Sequence, residues 1–401
     1  HRDLHSLRRR QRQMCIRDRN KRKCEEMSAH LWEESRNLTP PKWIEWKKQQ
    51  LPELERACFN FFIVSIDYGA NAPIGTISIY DPLIEKNQIE LKGADILWYG
   101  LMRMLDDYYR IYNSYDLITP NKLLRIFKGR PEKLGELLRG YLRVRHPVKS
   151  ARRWIKNAEN LKKYYNGDPR KIADECRTVK HMFERICGIN DKKRRFEGFT
   201  LYKINGKYYP GKILNLLVMT MVDEGFWKLD DVDKLNVALD INVARFSAIT
   251  GMVELPIGQK IRIHEMYPSV TEAFEIAFNQ CLKNGIIKSS ERGKVGPFIF
   301  DGIAWSMPRD RCSNCLNKPK ADSKCFLRNW CERNKIKIGA AYLRVLKFYY
   351  NENTHPHYVS LYKLLGVEDN HLIISEPLAR VYLNNSLKEN NILEMIFFGM
   401  R

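Results

Sequence analysis

Lys212 and Asp240 have the residue types and positions of a pair that could carry out acid/base or nucleophilic chemistry. Lys212 follows a Pro-Gly pair and begins an apolar segment, so we expect it at the start of a buried helix. Asp240 ends a loop and precedes a second apolar segment, so we expect its carboxylate at the start of another helix. A lysine and an aspartate at two helix N-termini within an apolar region suit proton transfer or nucleophilic attack.

A second group of chemically active residues is the cysteine motif Cys312-x2-Cys315-x9-Cys325-x5-Cys331. These four of the ten cysteines lie within twenty residues, whereas the others are scattered singly. Such spacing predicts a metal site in a reducing compartment, and a structural zinc with four cysteine ligands fits it. No signal peptide or membrane-spanning segment is visible, so we expect an intracellular protein, in the cytoplasm, nucleoid or nucleus, that is not secreted.

The charge of the chain favours a polyanionic partner. The net charge is +22 over 401 residues. Residues 1–26 contain ten Lys/Arg and four acidic residues, and part of this run resembles translated sequencing-adapter read-through, with Met27 as the candidate native start. Without it the net charge is still +16. We therefore expect nucleic acid as the partner before a membrane; a solvated basic surface and, for 1–26, a nucleic-acid-binding arm or nuclear signal are the alternatives.

The elements that position these residues are mostly helical. Strands are predicted for Cys58–Asp67 and Gly75–Tyr80 because both runs are rich in β-branched and aromatic residues. A β-hairpin is predicted at 199–209 because Asn205-Gly206 suits a type I′ turn. Helices are predicted at about 95–105, 120–127, 131–143, 147–165, 170–187, after Lys212, after Asp240, and at 269–284 with a Ser269-x-x-Glu272 capping box and Gly285 beyond its end.

Four segments resemble one protein family in the same order along the chain. Residues 145–172 are similar to the segment before the hairpin in the helix-hairpin-helix DNA glycosylases, the superfamily of endonuclease III and the adenine-mismatch glycosylase. Residues 212–218 (Lys-Ile-Leu-Asn-Leu-Leu-Val) look like the family's Lys-Thr-Ala-Asn-Val-Val-Leu, and 239–245 (Leu-Asp-Ile-Asn-Val-Ala-Arg) like Leu-Asp-Gly-Asn-Val-Lys-Arg. Residues 300–305 resemble the helix before the family's iron–sulfur loop. The resemblance covers about 95–331.

The resemblance implies a mainly α fold with a two-lobed helix-hairpin-helix core and a four-Cys metal loop. A small α+β segment would precede the core and an extension would follow it. Together with the segments outside the resemblance, the predicted organisation is a non-native or disordered basic arm at 1–26, the α+β segment at 27–94, the core at 95–305, the metal loop at 306–334 and the C-terminal extension at 335–401. We expect a monomer that binds double-stranded DNA.

The resemblance also implies roles for Asp240 and Lys212. Asp240 matches the family's essential aspartate, which stabilises the positively charged sugar or activates the nucleophile when the N-glycosidic bond breaks. Its alternative role is a helix N-cap, and both roles are compatible. Lys212 matches the lysine that attacks the sugar in the branch with AP-lyase activity. We expect burial beside Ile213 and Leu216 to lower its pKa; a phosphate contact is the alternative.

The hairpin departs from the family pattern. The usual Gly-x-Gly-x-Lys is missing, and only Gly211 stands before Lys212. We interpret the hairpin as beginning near Gly188, with the 199–209 β-hairpin inserted in its loop. This departure puts the lyase step in doubt more than base excision. The candidate DNA-binding residues are Gly188, Asn190, Lys192, Gly211, Arg245 and Arg311, and a solvated face is the alternative for the basic ones.

The metal loop departs from the family as well. The family holds a [4Fe-4S] cluster with cysteine spacings of six, two and five, and here only the last spacing agrees. We expect [4Fe-4S] from the position of the motif in the chain and keep structural zinc as the alternative. The predicted function is a DNA N-glycosylase acting on a modified or mispaired base by base flipping. A non-catalytic DNA-binding protein and a glycosylase acting on RNA or a nucleoside are the alternatives.

Overall fold

Helices make up most of the structure, a computed structural model that describes residues 21–38, 42–67, 77–80, 88–91, 94–142, 144–253, 263–291, 293–312 and 325–331. The mainly α class is therefore confirmed. The helices are α1 (Lys21–Arg36), α2 (Lys42–Gln50), α3 (Glu53–Ile66), α4 (Ala94–Tyr112), α5 (Pro120–Phe127), α6 (Pro131–Leu137), α7 (Pro147–Tyr165), α8 (Val179–Cys187), α9 (Lys212–Asp223), α10 (Ile241–Ile249), α11 (Tyr267–Lys283) and α12 (Asp301–Ser306). The strands are β1 (Ile77–Tyr80), β2 (Gln88–Leu91), β3 (Leu201–Ile204) and β4 (Lys207–Pro210), paired antiparallel as β1–β2 and β3–β4. Within the described ranges, no helix is long and apolar enough to cross a membrane.

Helix α3 occupies the segment for which the sequence predicted a strand at 58–67, so that prediction is wrong. Every residue from Ala57 to Ile66 is buried. A helix that is apolar on all sides loses the 3.6-residue periodicity by which an amphipathic helix is recognised, and its aromatic and β-branched content then imitates a strand. The strand predicted at 75–80 is present in part, as β1.

The first hydrophobic core contains α3 and the helices from α4 to α9. Trp154 of α7 donates from its indole nitrogen to the Phe62 carbonyl of α3 at 2.8 Å, and its ring lies 5.4 Å from that of Phe62. A buried ion pair between Lys47 of α2 and Glu224, at the end of α9, joins the same core. Lys47 also donates to Asn60 of α3 at 2.7 Å. This core therefore crosses the boundary that the sequence suggested at residue 94.

The second core contains α1, α10, α11 and α12. Cys24 and Leu31 of α1 are fully buried there beside Phe274 of α11. Cys281 of α11 donates its thiol to the Ser28 carbonyl of α1 at 3.2 Å. Residues 21–26, which belong to the 1–26 segment predicted to be non-native or disordered, are thus part of a helix that packs in this core. The extension at 335–401 lies outside the described residues.

The predicted β-hairpin is confirmed as β3–β4. Its register pairs Ile204 with Lys207, and Asn205 and Gly206 have φ angles of 51° and 80°. Two successive positive φ values are what a type I′ turn requires, and Asn-Gly tolerates them best. The hairpin lies between α8 and α9. Its interpretation as an insertion in a helix-hairpin-helix loop stays a prediction.

Three other predicted helices differ from the structure. The segment at 170–187 is a 3-10 turn (Pro169–Glu175) followed by α8, because Thr178 accepts a hydrogen bond from the His181 amide and starts a new helix. The helix at 131–143 ends at Leu137 and continues as a wider π-type turn to Leu142. Helix α11 begins at Tyr267, so Ser269 lies inside it and the predicted capping box is wrong; Gly285 does follow its end, with φ 69°.

We expect Gly100→Ala to destabilise the first core. Gly100 of α4 packs against the backbone of Tyr141, and a Cβ there would clash with the Tyr141 carbonyl, lying 2.8 Å from its carbon and 3.0 Å from Leu142 Cα. Overpacking against a backbone typically costs about 1–3 kcal/mol. The free energy of unfolding from chemical denaturation measures the effect.

Gly302→Ala is the matched control for this substitution. Gly302 is also helical, but the atom that its Cβ would meet is the Leu38 Cδ1, which can rotate away. We expect it to be neutral or slightly stabilising, since alanine favours helices over glycine by about 1 kcal/mol. Equal stabilities of the Gly100→Ala variant and the wild type would contradict the close packing of α4 on the Tyr141 turn.

Candidate functional site

Lys212 is the first residue of α9, as predicted, and the inserted hairpin leads directly into it. Gly211 is extended (φ −62°, ψ 157°), and its amide donates to the Thr200 carbonyl at 2.8 Å. A Cβ at Gly211 would lie 3.1 Å from that carbonyl oxygen, so a larger residue would loosen this junction. The Gly211 amide is therefore used within the fold, and the DNA-binding role of Gly211 stays a prediction.

The Lys212 side chain forms an ion pair with Asp67, which sequence reasoning missed. The Lys212 Nζ lies 3.5 Å from the Asp67 Oδ1 and donates to the Asp67 backbone oxygen at 3.3 Å. Asp67 follows the last residue of α3, and its side chain is 5% exposed. The signal in the sequence was an aspartate at the end of a long apolar run, and the incorrect strand prediction hid its proximity to Lys212.

Asp240 caps α10, as its N-cap interpretation predicted. Its Oδ1 accepts hydrogen bonds from the amides of Asn242 at 2.7 Å and Val243 at 3.0 Å. These bonds fix the orientation of the carboxylate at the positive end of the helix dipole. The cap explains part of the local pattern without excluding chemistry, because both bonds use one carboxylate oxygen.

A buried amide holds the two helix starts in register. Asn215, one turn into α9, donates from its Nδ2 to the carbonyls of Asn236 at 2.6 Å and Val237 at 2.8 Å. Those two residues belong to the segment that leads into Asp240. Because Asn215 is 1% exposed, these bonds are shielded from water, and losing them would leave two carbonyls unsatisfied. Asn215 therefore fixes Lys212 and Asp240 relative to each other.

Asp301 adds a third carboxylate to this region. It is the first residue of α12, and its Oδ1 accepts from the Ala238 amide at 2.7 Å. Removal from water raises the pKa of Asp301 to about 7; the Ala238 hydrogen bond opposes this shift and the nearby Asp240 charge adds to it. Lys212, Asp67, Asp240 and Asp301 thus form one electrostatically coupled group, which we name the acid–lysine cluster.

The expected lowering of the Lys212 pKa is wrong. Burial acts in that direction, but the negative charges of Asp67 and then Asp240 outweigh it, so the Lys212 pKa is raised above its ordinary value. The apolar neighbours of Lys212 suggested the desolvation, whereas the carboxylates reach it from α3, α10 and α12. At neutral pH the resting side chain is therefore an ammonium ion.

Burial also raises the pKa of Asp67, although Lys212 and the Trp98 side chain stabilise its charged form. A buried carboxylate beside a lysine can accept a proton more readily than an exposed aspartate does. The acid–lysine cluster therefore contains a cation, a capped carboxylate and two carboxyl groups with raised pKa values.

Aromatic rings from the inserted hairpin border the cluster. The ring centroid of Tyr202 in β3 lies 5.4 Å from that of Tyr267, at the start of α11. The Tyr202 ring is also stacked on the His264 ring, with centroids 5.8 Å apart. Tyr209 of β4 lies 6.4 Å from Tyr267. Burial raises the pKa of Tyr267, and the Tyr202 and Asp240 charges contribute, which places this ring near the cluster. His264 therefore belongs to this ring group.

The remaining predicted DNA-binding residues are dispersed. Gly188 ends α8 with φ 63°, and its amide donates to the Arg185 carbonyl, so this amide too serves the fold and is not directed at a phosphate. Asn190 and Lys192 are exposed on the turn that follows. Arg245 lies 3.5 Å from Asn242 within α10. The Arg311 side chain lies outside the described residues.

The four-cysteine centre stays a prediction. Cys312 is buried and Cys325 packs against the second core, whereas Cys315 lies outside the described residues. Within the part of the chain that the structure describes, no three His, Cys, Asp or Glu side chains are arranged to hold a metal ion. The thiol chemistry of the motif suits either [4Fe-4S] or zinc, and we assign no step to it.

We expect Asp67→Asn to lower the pKa of Lys212. The substitution keeps the shape of the side chain and removes the first of the charges that oppose desolvation. The measurement is the pH dependence of trace acetylation at Lys212, read by mass spectrometry, with the exposed Lys283 in the same sample as the internal control. An unchanged or raised pKa would show that Asp67 does not set the charge of Lys212.

We expect Asp301→Asn to change how stability depends on pH. The folded-state pKa of Asp301 is about 7, above the value near 3.8 of an unperturbed aspartate, so the folded state holds this proton more tightly. Its contribution to stability is present below about pH 4 and is lost as pH rises to about 7. The stability of Asp301→Asn relative to the wild type should therefore increase across this window, measured by denaturation at several pH values. A constant difference would contradict the shift.

Comparisons with known proteins add no evidence to that from the site. No family model matches the chain, and a search of curated proteins finds no significant relative.

Proposed function

We propose that the protein is a DNA N-glycosylase that excises a modified or mispaired base after flipping the nucleotide out of the duplex. The observation that carries the proposal is the acid–lysine cluster, in which two helix starts far apart in sequence place Lys212 and Asp240 in one electrostatic environment. The net charge of +22 and the family resemblance of residues 95–331 support DNA as the polymer.

In this proposal Asp240 carries the central role. Cleavage of an N-glycosidic bond develops positive charge on the sugar, and a carboxylate held by its helix cap needs little reorganisation to stabilise that charge. The same carboxylate can orient or deprotonate an attacking water molecule. The half-buried Tyr202 ring, which packs on Tyr267, is the aromatic side chain beside the cluster on which a flipped base would stack.

The charge of Lys212 favours hydrolysis over strand cleavage. Attack on the sugar by Lys212 requires a neutral amine, but the neighbouring carboxylates hold it as an ammonium ion. As a cation it can instead neutralise Asp67 and contact a phosphate or the departing base. If Lys212 does act as a nucleophile, Asp67 is the group placed to take its proton, because it lies 3.5 Å away and has a raised pKa.

One observation favours a second candidate, a DNA-binding protein without catalysis. The Asp240 carboxylate makes two capping hydrogen bonds, which account for an aspartate at this position on structural grounds alone. Asp240→Asn separates the two functions, because asparagine caps helices about as well as aspartate does but cannot stabilise a cation in the same way.

We expect Asp240→Asn to reduce base excision by about 100-fold or more while leaving the fold and DNA affinity unchanged. The assay uses duplex oligonucleotides that each carry one damaged or mispaired base, incubated with protein and then cleaved with alkali at abasic sites. Thermal unfolding of the variant is the control for folding. Equal cleavage by wild type and variant on every substrate that is processed would remove Asp240 from the reaction.

Lys212→Gln tests the lyase step separately. The substrate is one that the wild type processes. With borohydride at neutral pH, we expect the wild type to form little or no trapped protein–DNA adduct and the variant to form none. Excision measured after alkali should persist in the variant to a larger extent than in Asp240→Asn. An adduct that forms strongly in the wild type and survives Lys212→Gln would place the nucleophile elsewhere.

A further inference from the structure

A groove on the first core has the features of a binding site for a polyanion. Its volume is about 1410 Å³, and its walls come from α5, α7 and the segment 192–198. Nine basic side chains line it, together with the carboxylates of Glu159 and Glu197: Arg125, Lys128, Arg153, Lys156, Lys162, Lys163, Lys192, Lys193 and Arg195. Lys192, one of the predicted DNA-binding residues, belongs to this lining.

The wall formed by residues 195–198 is fixed by buried amides of α7. Asn157 donates to the Glu197 carbonyl at 3.0 Å and accepts from the Glu197 amide at 2.7 Å. Asn160 donates to the Arg195 carbonyl at 2.6 Å. Both asparagines are at most 5% exposed. The groove is therefore preformed, and a ligand would not have to order this wall.

The charges in the groove differ from those at its border. At the border, Arg194 pairs with Glu175 at 2.9 Å, Arg185 with Glu175 at 2.7 Å and Arg152 with Glu132 at 3.5 Å. Inside the groove, Lys156 lies 3.5 Å from Glu159, but cations outnumber carboxylates by seven. A merely solvated surface intersperses both signs, whereas a concave surface with one dominant sign attracts a ligand of opposite charge.

The size and charge of the groove indicate an extended ligand with repeated negative charge. A single phosphate ion would use only two or three of the nine cations. A phosphodiester backbone places one charge per nucleotide and gains affinity by releasing counterions at each contact. The Tyr164 ring in the lining, 5.0 Å from the Lys163 Nζ, adds an aromatic surface of the kind found in single-strand binding grooves.

Two residues of the groove contact the end of α3. Arg153 donates to the Ser65 carbonyl of α3 at 3.0 Å, and Gly198 packs against the same carbonyl with φ 99°. Asp67, the partner of Lys212, follows Ser65 by two residues. The groove and the acid–lysine cluster are therefore both joined to the end of α3.

We propose that this groove binds the sugar–phosphate backbone of a nucleic acid strand and forms a second contact, separate from the acid–lysine cluster. The choice of nucleic acid as the polyanion rests on the proposed function. The existence of the groove, its fixed wall and its positive charge are observed independently of that function. A strand held here would anchor the nucleic acid beside the cluster without reading its sequence, because backbone contacts carry no base information.

The test compares two double variants in the full chain. Lys162→Gln with Lys163→Gln removes two exposed cations of the groove, and Lys180→Gln with Lys283→Gln removes two exposed lysines outside it. The ligand is an undamaged 30-nucleotide oligonucleotide, as a duplex and as a single strand, with Kd measured by fluorescence anisotropy at several salt concentrations. Thermal unfolding controls for folding.

We expect the groove variant to bind at least one form about 10-fold more weakly and to lower the log–log salt slope by about 1–2, as the loss of one or two phosphate contacts predicts. The control variant should remain within about twofold of wild type. A larger loss for the duplex or for the single strand identifies which form lies in the groove. Affinities and salt slopes equal to wild type for both forms would overturn the proposal.

The lesion assay separates this proposal from the proposed function. If the groove variant binds nucleic acid more weakly but the wild type excises no base from any duplex, the groove proposal stands and the glycosylase proposal is refuted. Excision that depends on Asp240, together with unchanged nucleic acid binding in the groove variant, would keep the glycosylase and refute the groove.

Discussion

The buried Asn215 amide is the constraint on which the candidate site depends. Lys212 and Asp240 belong to helices in different hydrophobic cores, so packing within either core cannot fix their separation. Asn215 ties α9 to the carbonyls of Asn236 and Val237, and Asp301 ties α12 to the Ala238 amide two residues before Asp240. Both attachments hold the segment that delivers Asp240, and both are made by polar groups whose loss would leave backbone atoms unsatisfied.

The carboxylates around Lys212 determine what chemistry the cluster suits. A lysine surrounded only by apolar side chains would lose its proton more easily and become a nucleophile. Here Asp67 and Asp240 hold the proton, so the cluster combines a fixed cation with a fixed carboxylate. That combination suits electrostatic stabilisation of a positive charge better than it suits covalent attack.

The inserted β3–β4 hairpin connects the two cores. Its base is joined to the start of α9 through Gly211 and Thr200, and its Tyr202 and Tyr209 rings pack on Tyr267 of α11. The segment at 192–198 that precedes the hairpin forms one wall of the basic groove. The segment from 192 to Gly211 therefore contributes both to the groove and to the start of the helix that carries Lys212.

The sequence by itself determined the features that depend on local interactions. The helix starts at Lys212 and Asp240 and the Asn205-Gly206 turn were predicted correctly, because a cap or a type I′ turn is decided by a few adjacent residues. Only the tertiary structure decided that 58–66 is helical, that Asp67 meets Lys212 and that the pKa of Lys212 rises. Burial on all sides removed the periodicity of α3, and a pKa depends on charges brought from distant helices, so neither is contained in a local pattern.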